Sequence, residues 1–380
     1  MKLFKVLVSA IALLATMILP AQAGNPNCNE VDGDYIVSFP RGIAIANEMR
    51  TAPGRPIQAK FTYDTVLNGF AASLTAEQVC AFKRRPGVLV ELDGEVVASG
   101  KTSGSATTSW YSWGLDRIDE KTLPLDKATF ERSSNGSGVT AYVIDTGIYS
   151  AHQQFGGRVQ SGYTAITDGR GTQDCNGHGT HVSGTIGGQD SGVANAVKLV
   201  PVRVLNCRGS GTTSGVIDGV NWVAKNAVKP AVANMSLGGG ASTALDTAVN
   251  NLVGAGVTVV VAAGNSNVDA IGSSPSRVDA ALVVGASDLN DQRAYFSNFG
   301  PTVDVYAPGV NILSTWIGST TASNTISGTS MASPHVAGIV ARFLQVNRDA
   351  GPTAVSNAIS ASTNGSLRIA CLTGTNECKP

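Results

Sequence analysis

The stretch Val139–Asp145, VTAYVID, is an almost continuous apolar run that ends in an acid. Strands without polar alternation are typical of parallel sheets that are buried on both faces. Three more runs of this kind follow along the chain: Lys198–Leu205 (KLVPVRVL), Ala231–Leu237 (AVANMSL) and Val257–Asn265 (VTVVVAAGN).

The segments between these runs have helical spacing. Ser242–Gly254 begins at a serine cap and ends at glycine. Thr213–Val228 places four apolar side chains on one helix face: Val216, Val220, Val223 and Ala227. The alternation of strands and helices predicts an α/β domain with a doubly wound, mostly parallel sheet and helices on both faces.

A smaller unit precedes this domain. Asp32–Pro40 is predicted to be a strand, Thr75–Gly87 a capped helix, and Val88–Ala98 two short strands joined at Asp93-Gly94. Ser99–Ser109 is polar and glycine-rich, which indicates an exposed linker and a proteolysis site. We therefore expect a small α+β domain over residues 24–105 and the α/β domain over residues 106–380.

The first residues resemble an export signal. Lys2 and Lys5 precede the apolar run Val6–Leu19, and Ala21-Gln22-Ala23 offers small residues for cleavage. A membrane anchor is the alternative, but this run is short for a bilayer span. We expect a signal peptide over residues 1–23 and a secreted protein.

Composition excludes several kinds of partner. The chain of 380 residues has no net charge and only 14% charged residues, so neither nucleic acid nor an anionic membrane surface is an expected partner. We expect a monomer.

The six cysteines of an exported chain are candidates for disulfides. Their positions favour three bonds: Cys28–Cys80, Cys175–Cys207 and Cys371–Cys378. Other pairings and buried free thiols remain alternatives.

Chemically useful residues stand where the predicted strands end. Asp145 ends the first run, the third ends in Ser236–Gly240, and Asn265 ends the fourth. Sites in open parallel sheets form outside the carboxyl ends of the strands. These residues are also common turn formers, so it is their joint placement that predicts a site.

Two segments add histidine and serine. Cys175–Gly188 (CNGHGTHVSGTIGG) contains His178 and His181, whose spacing is not that of a H-E-x-x-H zinc site. Gly328–His335 (GTSMASPH) places Ser330 at the start of a buried helix, with His335 in another turn of the same helix. We expect His335 to be packed and the base for Ser330 to come from another segment of the chain; for His181, a packed histidine is one of the alternatives.

The chain order acid, histidine, serine is that of subtilisin. The motifs VIDTGI, NGHGTHVSGT, NMSLGGG, VAAGN and ISGTSMASPHVAG resemble, in order, those of the subtilisin-like serine proteases, proteinase K and aqualysin branch. Residues 32–98 more weakly resemble the inhibitory propeptide of that family.

The resemblance implies a triad of Asp145, His178 and Ser330. It also implies an oxyanion hole formed by the Asn265 amide and the backbone N–H of Ser330. Substrate would lie extended along Arg208-Gly209-Ser210-Gly211 and Ser236-Leu237-Gly238. The specificity pocket would be walled by Ala262-Ala263-Gly264 and Gly238-Gly239-Gly240, and its lack of charge favours apolar or aromatic side chains.

The family uses structural calcium. Asp116, Asp119, Glu120 and Asp126 resemble one site of the aqualysin-like branch, although Ala128 stands where that branch has an asparagine. Asp304, with the carbonyls of Asp279 and Ala281, resembles a second site. Solvated surface carboxylates are the alternative.

These implications describe a secreted, self-processing serine endopeptidase that acts on proteins and peptides, is cleaved near Gly104–Ser109, and is held inactive and helped to fold by its own propeptide. A catalytically idle relative that serves as a binding or inhibitor protein, and an esterase on the same scaffold, are the alternatives.

Overall fold

The computed structural model describes residues 28–102, 110–120, 122–127, 134–365 and 367–371. The helices of these residues, apart from short 3-10 turns at Gln153–Phe155 and Ala270–Gly272, are α1 (Ile45–Thr51), α2 (Ala76–Lys83), α3 (Trp113–Asp119), α4 (His178–Gly187), α5 (Thr213–Asn226), α6 (Thr243–Gly254), α7 (Thr329–Val346) and α8 (Pro352–Ala361). None of the helices within these ranges has the length and apolar character needed to cross a bilayer.

The strands of the same residues are β1 (Gly33–Ser38), β2 (Ala59–Tyr63), β3 (Gly69–Leu74), β4 (Leu89–Leu92), β5 (Glu95–Ala98), β6 (Lys101–Thr102), β7 (Thr140–Asp145), β8 (Tyr163–Thr164), β9 (Lys198–Arg203), β10 (Ser210–Thr212), β11 (Ala231–Met235), β12 (Leu237–Gly240), β13 (Thr258–Ala262), β14 (Ser273–Ser274), β15 (Leu282–Ser287), β16 (Val305–Pro308), β17 (Ile312–Thr315), β18 (Ser323–Ser327), β19 (Thr363–Asn364) and β20 (Ile369–Ala370).

The central sheet has nine strands in the order β19-β20-β16-β15-β13-β11-β7-β9-β8. Neighbours pair in parallel, except that β19 is antiparallel to β20. The predicted doubly wound sheet is therefore confirmed. The predicted helices Thr213–Val228 and Ser242–Gly254 are α5, which ends two residues earlier at Asn226, and α6, which is capped by Ser242.

The two faces of the sheet carry separate cores. Val143 packs in one core with residues of α4 and α7, such as Val182 and Met331. Its neighbour Ile144 packs in the other core with residues of α5 and α6, such as Val216 and Leu245. Successive residues of a strand point to opposite faces, so a strand covered on both sides must be apolar throughout.

The smaller unit is an antiparallel sheet in the order β2-β3-β1-β4 with helices α1 and α2. It rests on α5, where the Tyr63 hydroxyl donates to the Ser214 carbonyl at 3.0 Å. The Asn221 side-chain oxygen accepts the backbone N–H groups of Thr65 and Val66 at 3.0 and 3.1 Å.

The prediction of an exposed linker is wrong for the residues at its start. Ser99–Ser109 was expected to be an exposed linker, but Ser99 is half-buried and β6 pairs with β18. The preceding strand, β5, leaves the small unit and pairs on both sides with β10 and β12 of the α/β domain. Two strand edges with free backbone groups bind this segment, which composition alone does not reveal. Residues 103–109 lie outside the described residues.

Candidate active site

A hydrogen bond joins Asp145, at the end of β7, to His178, at the start of α4. Asp145 is the last residue of β7 and is fully buried, and His178 is the first residue of α4. The Nδ1 atom of His178 lies 2.8 and 3.0 Å from the two carboxylate oxygens of Asp145. This contact makes Nδ1 the N–H donor and leaves Nε2 as the proton acceptor of the neutral ring.

A second buried carboxylate, Asp174, joins the two elements and was not identified from the sequence. Its Oδ1 accepts the Thr146 hydroxyl and the backbone N–H groups of Asn176 and Gly177, each at 2.9 Å. Its Oδ2 accepts the N–H and hydroxyl of Thr180 at 2.9 and 2.6 Å. Asp174 thus binds the residue after Asp145 and the residue before His178. The sequence signal that could have identified Asp174 is an acid four residues before His178.

The His178 ring is more basic than an ordinary imidazole. Burial lowers its pKa, but the charge and hydrogen bond of Asp145, and the charge of Asp174, raise it by more, so the pKa lies above its usual value. Its Nε2 atom is buried and has no hydrogen-bond partner in the described part of the chain.

Ser330 is the second residue of α7 and is fully buried. Its hydroxyl donates to the backbone carbonyl of Ser236 at 3.0 Å and makes no hydrogen bond to His178 in this conformation. The Ser236 hydroxyl in turn donates to the Ser330 carbonyl at 3.0 Å. The residue that ends the third predicted strand therefore holds the serine on both sides.

The other two histidines of these motifs are packed, as expected for His335. The Nδ1 atom of His335 bonds to the Met331 carbonyl of its own helix at 2.7 Å, and burial lowers its pKa to about 4. The Nε2 atom of His181 lies 3.0 Å from the Ile312 carbonyl, and burial lowers its pKa to about 3. Both rings are neutral at physiological pH, and neither is aimed at Ser330.

The side chain of Asn265 bridges α7 and the strand that lies in the cleft. Its oxygen accepts both the backbone N–H and the hydroxyl of Thr329 at 2.9 Å. These contacts fix the amide plane, and Nδ2 donates a hydrogen bond to the backbone carbonyl of Ser99. A carbonyl oxygen of the smaller unit thus receives the donor that was predicted to bind an oxyanion.

The bond after Ser99 lies between the predicted catalytic groups. A Cβ atom placed on Gly328, two residues before Ser330, would lie 2.5 Å from the Ser99 carbonyl oxygen. A Cβ atom placed on Gly100 would lie 3.0 Å from Cδ2 and 3.3 Å from Nε2 of His178. The Ser99–Gly100 peptide therefore has Asn265 and Gly328 on one side and His178 on the other.

The predicted substrate-binding edges hold β5. Val97 is opposite Ser210 on one side and Gly238 on the other. The N–H of Ala98 donates to the Gly209 carbonyl at 2.8 Å, and the N–H of Ser99 donates to the Ser236 carbonyl at 3.2 Å. This is strand addition to two exposed edges. The exposed Arg208 follows the turn at Asn206, whose side chain accepts its N–H at 2.8 Å.

A cavity of about 350 Å³ adjoins Ser99. Its wall includes residues predicted from the sequence, namely Gly238, Gly239, Ala262, Ala263 and Gly264, but not Gly240. It also includes Ser273, Ser276 and Asn298, which the sequence pattern did not identify because they come from segments without a motif. Asn298 supports the wall, since its Nδ2 donates to the Ala263 carbonyl at 2.9 Å.

Two carboxylates of the smaller unit cap helices of the α/β domain. Glu91 accepts the backbone N–H groups of Thr243 and Ala244 at 2.7 and 3.0 Å, at the start of α6. Asp93 accepts the N–H and hydroxyl of Ser214 at 2.9 and 2.5 Å, at the start of α5. Anions at helix N-termini are stabilising, so these contacts hold the smaller unit in place.

Three of the four acids predicted for the first calcium site lie together. Asp116, Asp119 and Glu120 offer oxygen atoms within 4.8 Å of one another, whereas Asp126 is exposed and outside this group. The acids were expected within a short loop, but Asp116 and Asp119 belong to α3. The buried Oδ1 of Asp116 accepts no hydrogen bond in the described residues, which fits an oxygen ligand of a cation. Ala128 lies outside the described residues.

Asp304, the side-chain ligand of the second predicted calcium site, is half-buried. Its Oδ2 accepts the Val283 N–H at 2.8 Å. Burial raises its pKa, and the negative charge of nearby Asp279 adds to that effect. Ala281, which is two residues after Asp279, immediately precedes β15. A cation beside Asp304 would favour its charged form.

Two of the predicted disulfides are present, Cys28–Cys80 and Cys175–Cys207. Cys371 is also disulfide-bonded, and its predicted partner Cys378 lies outside the described residues. The Cys175–Cys207 bond joins the segment before His178 to the edge that begins at Arg208. It thereby links the histidine segment to one wall of the cleft.

The chain is similar in sequence and in structure to known proteins. Residues 136–374 match the model of the subtilase family, a peptidase family. The chain is 53% identical to an extracellular serine proteinase of Thermus sp. over 84% of its length and 76% of that protein. It is 51% identical to alkaline serine exoprotease A of Vibrio alginolyticus over 79% of its length, but spans only 56% of that protein. A crystal structure of a cold-adapted subtilisin-like serine proteinase superimposes with a TM-score of 0.66 at 52% identity, covering 70% of this chain and 96% of the other.

Proposed function

From the premise that this chain belongs to the subtilase family and is a serine endopeptidase, we propose that it is a secreted, self-processing enzyme with an Asp145–His178–Ser330 triad. The observation that carries this proposal is the Ser99 carbonyl, which accepts the Asn265 amide while Gly100 lies against His178. A peptide bond of the chain itself is thus held where a substrate would be.

The reaction follows from the roles of these groups. Ser330 Oγ attacks the carbonyl carbon, and Nε2 of His178 accepts its proton. Asn265 Nδ2 and the backbone N–H of Ser330 stabilise the oxyanion. When the C–N bond breaks, His178 gives the proton to the leaving amine, and Ser330 is left as an ester. Water then hydrolyses this ester, with His178 again as base, while Asp145 keeps the imidazole in the productive tautomer.

Residues 24–99 act as the inhibitory propeptide in this proposal, rather than the 24–105 predicted from the sequence. Glu91 and Asp93 cap two helices, and β5 fills the substrate edges, so the segment blocks the cleft through contacts on both sides. The bond cut would be Ser99–Gly100 rather than one near Gly104–Ser109. Residues 1–23, outside the described residues, would be the signal peptide that exports the precursor.

The substrates are proteins and peptides that bind as an extended strand. The cavity beside Ser99 has no charged side chain in its wall, which favours an apolar or aromatic side chain before the cut bond. The two strand edges bind the substrate through backbone hydrogen bonds, which do not depend on its side chains, so we expect broad specificity.

Calcium would be structural in this enzyme. Asp116, Asp119 and Glu120 would hold one ion, and Asp304 with the Asp279 and Ala281 carbonyls a second. A bound cation would relieve repulsion between grouped carboxylates and stabilise the fold. In this proposal the chemical steps are carried by Ser330 and His178, and calcium only stabilises the fold.

Replacement of Ser330 tests the function. Expressed precursor should be cut after Ser99, as read by N-terminal sequencing, and should then hydrolyse casein. Ser330→Ala should stay uncut and lose activity by about 10⁶-fold, whereas Ser319→Ala, at an exposed serine, should behave as wild type. Normal maturation of Ser330→Ala, or failure of a serine-reactive probe to label Ser330, would support the catalytically idle alternative. Cleavage of a short ester but not of casein would support the esterase.

A further inference from the structure

The side chain that the propeptide places at the specificity pocket is very small. The cavity of about 350 Å³ is bordered by Ser99, and it lies in the size range of pockets that hold small molecules, about 300–1,000 Å³. Ser99 Oγ lies 4.0 Å from a Cβ atom placed on Gly238, at the cavity wall. One hydroxymethyl group leaves most of this volume unoccupied by the propeptide.

The propeptide is held by contacts that do not use the Ser99 side chain. The backbone of β5 pairs with β10 and β12, and Val96 is buried. Glu91 and Asp93 bind the starts of α6 and α5, and Val66 and Tyr63 contact α5. Every propeptide residue in these contacts precedes the Ser99–Gly100 bond, so cutting that bond removes none of the contacts. The cut fragment therefore remains bound without any contribution from the Ser99 side chain.

A true substrate has what the propeptide lacks. A large apolar side chain before the cut bond would bury its surface in a wall of glycine, alanine and serine residues, which include Gly238, Ala262 and Ser276. Such burial is a major source of affinity in apolar pockets. The propeptide, with serine at this position, does not gain this affinity.

We propose that Ser99 keeps the cut propeptide a displaceable inhibitor: its small side chain leaves the specificity pocket open, so that the bound fragment is released and substrates with large apolar side chains compete with it. This inference rests on the proposed function and concerns the regulation of the same site. It predicts that a larger apolar residue at position 99 prolongs inhibition after the bond is cut.

The test uses the full chain and separates cutting from activation. Cutting is followed on gels, and activity is followed with a peptide substrate in the same samples. Ser99→Phe should be cut at least as fast as wild type, but activity should appear about 10–100-fold more slowly, with the fragment co-eluting with the enzyme in gel filtration. Ser99→Leu should give a smaller delay, and Ser99→Ala should match wild type.

Glu95→Phe is the matched control, because it adds the same ring to an exposed residue of β5 that does not border the cavity. Equal delays in Glu95→Phe and Ser99→Phe, or release in Ser99→Phe as fast as in wild type, would overturn the inference. If Ser99→Phe does not fold, Ser99→Leu decides by the same comparison. Cutting at a bond other than Ser99–Gly100 would also overturn it, yet leave the endopeptidase intact. Loss of all Ser330-dependent proteolysis would instead refute the proposed function.

Discussion

The carboxylate of Asp174 accepts the hydroxyl of Thr146 at 2.9 Å, and this bond ties the strand that ends at Asp145 to the loop that begins α4. Thr146 Oγ1 also accepts the Gly179 N–H at 2.9 Å. The two residues thus hold the backbone on both sides of the Asp145–His178 hydrogen bond. A fixed backbone keeps two catalytic side chains within hydrogen-bond reach.

We expect Asp174→Asn to change the pH dependence of catalysis. The His178 ring must be neutral to accept a proton, so kcat/KM falls as pH drops through its pKa, which Asp145 and Asp174 hold above that of an ordinary imidazole. Removal of the Asp174 charge should lower this pKa and move the acid limb to lower pH, with kcat reduced more than KM is raised. A pH profile of kcat/KM measures the shift.

Asp218→Asn is a suitable control for that experiment, because Asp218 is a half-buried carboxylate that accepts the Tyr163 hydroxyl. Its acid limb should stay in place. An unmoved limb in Asp174→Asn, together with a lower melting temperature, would mean that Asp174 only supports the fold.

The amide of Asn265 should contribute to the rate rather than to binding. Asn265→Ala removes the donor to the developing oxyanion, and kcat should fall about 10²–10³-fold with little change in KM. Steady-state kinetics on a peptide substrate measure both constants. Because Asn265 also binds Thr329, the melting temperature should be compared as well; a fall in kcat below tenfold in a folded variant contradicts the assigned role.

The two helix-capping acids should set how long the propeptide stays bound. Glu91→Gln with Asp93→Asn removes both charges from the starts of α6 and α5, each worth about 0.5–2 kcal/mol. Activity should therefore appear about tenfold sooner or more after the bond is cut. Glu95→Gln, at an exposed residue of the same segment, should leave the delay unchanged. If the double replacement leaves the delay unchanged, the two caps do not contribute to inhibition.

Removal of calcium should lower thermal stability. A chelator withdraws an ion that binds the folded state, so the melting temperature should fall and recover when calcium is restored. Asp116→Asn should reduce this response, since Asp116 is buried within the acidic group, whereas Asp126→Asn should reduce it less. Calorimetry with and without EDTA checks the change; identical midpoints in wild type would argue against structural calcium.

The sequence by itself determined the sheet and the residues that stand at its rim. Continuous apolar runs such as Val139–Asp145 require burial on both faces, and the spacing of Val216, Val220 and Val223 requires a helix beside them. These are local patterns, and each is complete within a few turns or one strand. The same local signals predicted that His335 is packed, because its helix is apolar on most sides.

Only the tertiary structure decided what fills the cleft. Ser99 was expected in an exposed linker, yet it is held by Asn265, which is far from it in sequence. Strand pairing and oxyanion-type contacts use backbone atoms that every residue carries, so they leave no mark in the identity of the residues. Asp174 illustrates the same limit, since the local donors of Asn176, Gly177 and Thr180 are joined by the Thr146 hydroxyl only after β7 and α4 meet.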